Sequence, residues 1–176
     1  MNPILTQLEQ ATMAKVNPPA LQQAVNKIVK MGKHILYSPE SRDVVSKNLK
    51  MIDQGHAPQL IGEGTAKVLG LVIHASKGTM PPKIGIPAST IIMCEILDLL
   101  EKAGKVQITP DFVAQCVKAV GSSILVLYGA TPEMMQKFFS SPQAQAKLGG
   151  KPAQQPAQPP QQPAGGLIQS AQGVAA

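Results

Sequence analysis

Three groups of side chains in this sequence have types that could carry chemistry. They are the histidines His34, His56 and His74, the cysteines Cys94 and Cys116, and the acidic series Glu95, Asp98 and Glu101. A general base needs a group to orient it and a substrate within hydrogen-bond reach. The histidines fall on separate elements, and His74 stands near the end of an apolar run, the usual place of a capping or core imidazole. Each cysteine sits inside an apolar run, and no Cys or His pair has zinc spacing. They read as two reduced core thiols, with a single disulfide between facing helices as the alternative. The acidic residues, three positions apart, share a helix face. Paired carboxylates need that, but so does the solvated stripe of an otherwise apolar helix, which is the better explanation because no further ligand presents itself. Glycine-rich phosphate loops, H-E-x-x-H and G-x-S-x-G are absent from the sequence. The expectation is a non-enzymatic protein without cofactor, metal or small-molecule substrate.

Charge points to a different kind of partner. The chain carries +6 overall, and seven basic residues lie between Lys15 and Ile52 against only Glu40 and Asp43. Lys27, Lys30, Lys33, Lys47 and Lys50 are the candidates for a surface that meets an anion: DNA, an acidic lipid layer or an acidic protein patch. The alternative is an ordinary solvated face. Only one of the sixteen basic residues is Arg, and aromatic residues make up 3% of the chain. Base reading and base stacking are therefore poorly served. Any nucleic-acid contact should be electrostatic, non-specific and strongly salt-dependent.

The elements that hold these residues are announced by a repeated tripeptide. "NPP" at 17–19, "SPE" at 38–40, "TPD" at 109–111, "TPE" at 131–133 and "SPQ" at 141–143 each place a small polar residue before proline. The polar side chain can accept from a first-turn N–H, and proline at the first helical position gives up a donor that had no partner. Between these starts the apolar residues recur near every 3.6 positions, which predicts helices. One carries Leu21, Val25, Ile28, Met31 and Leu36. A second, after Ser38, carries Val45, Leu49 and Ile52. A third runs from Pro58 to about residue 77, and a fourth carries Val113, Cys116, Val117, Val120, Ile124 and Leu127 as a core stripe and stops at Gly129. A short helix from Pro132 to Phe139 completes the set. Gly62, Ala66 and Gly70 share one face of the third helix and predict a close backbone crossing, as Gly32 does in the first. Small residues at this spacing also serve membrane helices, but Glu63 and Lys67 argue for a soluble seam.

The stretch "HASKGTMPPKIGIPASTIIMCEIL" holds three prolines between two apolar runs. Proline well inside a helix costs ~3 kcal/mol, so regular helix is expected to start close to Pro87. From there Ile91, Ile92, Ile96, Leu99 and Leu100 run to Gly104, with Met93, Cys94 and Leu97 widening the apolar surface. Such a helix belongs at the centre of a fold. The prolines thus mark an internal corner and not a domain boundary.

Composition changes after Leu148. The segment 149–176 is rich in Pro and Gln and has no charge beyond Lys151. Such a composition cannot offset its ordering entropy, so a disordered tail is expected. Leu167 and Ile168 near its end form a candidate docking pair, as do Met134, Met135, Phe138 and Phe139 in the short helix before it. The N-terminal residues lack the pattern of a secretory signal, and no stretch reaches the ~18 apolar residues of a bilayer span.

The stretch "KGTMPPKIGIPASTIIMCEILDLLEKAG", followed by "ITPDFVAQCVKAV", resembles small helical accessory proteins of tailed-bacteriophage particles, over about residues 77–120. In those proteins a similar proline element precedes a helix of the same character. The resemblance implies a virion component made in the host cytoplasm, linked to particle assembly or ejected with the genome, and it carries over no catalytic residue. The expected fold is all-α: a compact bundle of about six helices over residues 1–148, followed by the tail. The expected partners are other virion proteins or further copies of the chain. A membrane-active amphipathic protein and a non-specific DNA-binding module are the alternatives.

Overall fold

A computed structural model describes residues 1–39, 56–77, 80–131, 133, 134, 136 and 137. Among these residues the chain is all helical, with five helices and no strand. They are α1 (Pro3–Ala14), α2 (Pro19–Tyr37), α3 (Ala57–Ala75), α4 (Pro82–Lys102) and α5 (Pro110–Leu127). The helix expected after Ser38 and the tail lie outside the described residues. Of the short helix from Pro132, residues 133, 134, 136 and 137 are described and helical.

The start signals act unequally. At α5 the pattern is complete: Thr109 Oγ1 accepts from the Phe112 N–H at 3.2 Å, Pro110 follows, and Asp111 lies at the positive end of the helix. Thr131 repeats the cap, accepting from the Met134 N–H at 3.3 Å. Asn2 does the same for α1, with Oδ1 3.0 Å from the Ile4 nitrogen and Pro3 next in line. At α2 the pattern misleads. The cap position is Pro18, which has no side-chain acceptor, so Asn17 is not the cap. The entry is held instead by the Leu21 N–H on the Pro18 carbonyl at 2.8 Å, and by Gln22 Nε2 reaching back to the Val16 carbonyl at 2.9 Å.

The helix expected from Pro87 begins at Pro82. Pro81 and Pro82 take the cap and first positions, and the Ile84 and Gly85 N–H groups both turn to the Pro81 carbonyl, at 2.9 and 3.1 Å. Pro87 therefore lies inside the helix, where it leaves the Lys83 carbonyl without a ladder donor. Lys83 is exposed, so water can supply that partner. So near the start, the ladder has little below the proline to distort, and most of the interior penalty is escaped.

α4 touches all four other helices, as its nearly all-round apolar surface predicts. Ala88, Ile92, Met93, Cys94, Leu97 and Leu100 are completely buried in it. Gly104 closes the helix with a left-handed φ of 67°, and the Lys105 N–H returns to the Leu100 carbonyl at 2.9 Å. Gly129 closes α5 in the same manner.

The small-residue face of α3 packs on α5. An atom placed at the β-carbon position of Gly62 would lie 2.8 Å from the carbonyl carbon of Ala119, and at Gly70 it would lie 3.7 Å from Leu127 Cδ1. Both pairs have the same sequence offset, so α3 and α5 run side by side in one direction. Gly32 of α2 makes the other close crossing that was expected, against Ile92.

Candidate functional site

The acidic series on α4 is not a solvated stripe. Glu95 and Asp98 are buried, because α1 and α2 cover that edge of the helix. Lys33 of α2 forms an ion pair with Glu95. The Tyr37 hydroxyl donates to the other Glu95 oxygen at 3.4 Å. Asp98 pairs with Lys102 at 2.6 Å and with the terminal ammonium at 3.7 Å. Asn2 donates to Glu101 at 2.7 Å. Glu9 of α1 joins the group, its Oε1 buried and without a hydrogen-bond partner among the described residues.

This crowding separates the carboxyl groups. Burial, then the neighbouring charge of Glu95, raises the Glu9 pKa above its ordinary value. The hydrogen bond from Lys102 holds Asp98 below its ordinary value, against the pull of desolvation. Burial, and next to it the Glu95 charge, raises the Tyr37 hydroxyl. The cluster is a set of internal pairs that fixes α1 and α2 on α4. Glu95, Asp98 and Glu101 accept bonds from the chain's own donors, and among the described residues no group of three or more acids, cysteines and histidines could hold a metal ion.

The basic candidates divide. Lys27 and Lys30 are exposed on α2, and His34 continues that face. Lys33 turns toward Glu95 and spends its charge inside the fold. Lys47 and Lys50 lie outside the described residues. Beside Lys27 a shallow cavity of about 150 Å³ opens between α2 and the corner before α4, lined by Ile28, Met31, Met80 and Ile84. The apolar candidates divide too. Met134 is 60% exposed, whereas the side chains of Met135, Phe138, Phe139, Leu167 and Ile168 lie outside the described residues.

The histidines stay apart: His34 ends α2, His56 precedes α3 and His74 ends it. Cys94 and Cys116 are free thiols, fully buried, and burial pushes both up to about 12. Neither is poised as a nucleophile.

The sequence did not single out Glu9. The available signal was its position four residues after Leu5 and four before Met13, on the covered face of α1. It also did not single out the exposed apolar residues Leu71, Ile86 and Val126, and Leu127, expected in the core stripe of α5, is 40% exposed where the helix runs past its neighbours. Among the described residues one helix, α5, is at 18 residues long and apolar enough to cross a membrane by size and composition, although it holds Asp111 and Lys118. Here its stripe Val113, Cys116, Val120 and Ile124 is buried in the core.

Compared with known protein families, with curated proteins and with solved structures, the chain matches none.

Proposed function

We propose that the chain is a non-enzymatic interaction protein, an accessory component of a tailed-phage particle linked to assembly or genome delivery. The observation that supports the interaction role is Met134. It stands exposed just beyond α5, outside the core, at the head of the run that continues through Met135, Phe138 and Phe139. A flexible thioether in that position adapts to a protein partner's surface. The particle assignment rests on the resemblance of residues 77–120 alone. The partners would be other virion proteins or further copies of the chain, and the site of action the virion.

Mass spectrometry of purified particles tests the assignment. The chain should be present in them, and Met134→Asp should lower its incorporation. Particles that never contain the chain overturn the reading.

The exposed face of Lys27, Lys30 and His34 favours a second reading, non-specific contact with DNA. Retention of duplex DNA should then fall steeply with salt and be lost in Lys27→Glu/Lys30→Glu. Retention that survives high salt would exclude it.

A further inference from the structure

Leu71, Ile86, Val126 and Leu127 are large apolar side chains that remain 56%, 47%, 55% and 40% exposed. They come from three helices, and two close contacts bring them to one end of the molecule. Gly70, beside Leu71, faces Leu127. Gly85, beside Ile86, lies under the ring of Tyr128, which follows Leu127. The end is thus built where α3 and α5 finish and α4 begins.

Its rim is basic. Lys67 and His74 stand about one turn to either side of Leu71 on the same face of α3. Lys83 stands one turn before Ile86, and Lys118 two turns before Val126. All four basic residues are exposed. On those stripes the acids are Glu63, one turn beyond Lys67, where it accepts from Gln59 at 3.5 Å, and Asp111, two turns beyond Lys118 at the far end of α5. Leu71, Ile86 and Val126 each have a lysine one or two turns away on their own stripe. They match a surface that is apolar below and anionic above.

We propose that this end docks on an anionic lipid surface. Leu71, Ile86, Val126 and Leu127 enter the boundary between headgroups and acyl chains, and Lys67, Lys83 and Lys118 reach the lipid phosphates. The docking is peripheral. Less than a quarter of α5 is buried, at 22%, so its outer face is open to lipid while its core stripe stays packed. The proposal does not depend on the chain belonging to a particle.

The test is flotation of the full chain with vesicles of phosphatidylcholine, alone or with about one third phosphatidylglycerol, at low and high salt. Binding should require the anionic lipid and weaken with salt. Leu71→Ser/Val126→Ser/Leu127→Ser, and separately Lys67→Glu/Lys83→Glu, should each lower binding roughly tenfold or more. These residues are exposed, so circular dichroism of both variants should match the parent. Lys27→Glu/Lys30→Glu should lower binding less than Lys67→Glu/Lys83→Glu does. Absence of binding to the anionic vesicles overturns the proposal, as does equal binding to both vesicles. Loss of binding only in the Lys27/Lys30 variant also overturns it. Self-association of the parent that the apolar variant abolishes would assign the face to a second copy and overturn the lipid proposal.

Discussion

The Tyr128 hydroxyl rests directly on Gly85: a β-carbon there would sit 2.0 Å from the oxygen. That hydroxyl is buried and has no hydrogen-bond partner among the described residues. The contact seats the end of α5 on the opening turns of α4.

Gly85→Ala should therefore destabilise the fold by about 1–3 kcal/mol, overpacking outweighing the gain in helix propensity. Tyr128→Phe alone should be neutral or stabilising, since it removes an unpaired buried group. The double substitution should recover part of the loss. Urea unfolding of the three variants checks this.

Glycines in one helix should respond in opposite directions. Gly62→Ala pushes a methyl into the backbone of Ala119 and should cost about 1–3 kcal/mol. At Gly64 nothing lies within 4 Å of the new β-carbon. Gly64→Ala should therefore gain up to about 1 kcal/mol. Melting temperatures of the pair give the two signs directly.

Central α4, the Thr109 cap and the stops at Gly104 and Gly129 were legible because each depends on local chain chemistry or on one helix's own periodicity. The burial of Glu95 was not. Periodicity says which side of a helix a residue takes, but the cover on that side comes from Lys33, Tyr37 and Glu9 on other helices. Pro87 misled for a related reason: the rule against interior proline does not say how well a solvated Lys83 carbonyl tolerates a lost donor. Leu71 and Val126 were passed over because they fall between the stripes that mark a core.

Breaking the Lys33–Glu95 pair should be felt. Lys33→Met leaves a buried carboxylate with only Tyr37, and should destabilise by about 1–2 kcal/mol, discounted for the partly exposed ammonium. Lys33→Met/Glu95→Gln should recover much of this, which a double-mutant cycle measures.

The two shifted carboxyls should act oppositely on stability. The folded Glu9 pKa lies above 4.5, so its contribution is present below that pH and is lost as pH rises through the raised value. The folded Asp98 pKa lies below 3.8, so its contribution is present above 3.8 and is lost as pH falls through the lowered value. Glu9→Gln should remove the loss on the alkaline side, and Asp98→Asn should lower stability at neutral pH. Denaturant titrations across pH 3 to 8 separate the two.

Both thiols should resist alkylation in the native protein at pH 8, since burial pushes them up to about 12. Labelling should become rapid in denaturant. Native labelling at the denatured rate would contradict their place in the core.

The parallel course of α3 and α5 has a consequence for synthesis. Chain leaving the ribosome in order delivers α3 first, then α4 running back, and the groove-filling backbone around Ala119 last. The glycine notch at Gly62 stays empty until then, so a nascent chain halted before α5 holds an open flank where the finished protein brings two helix backbones close together.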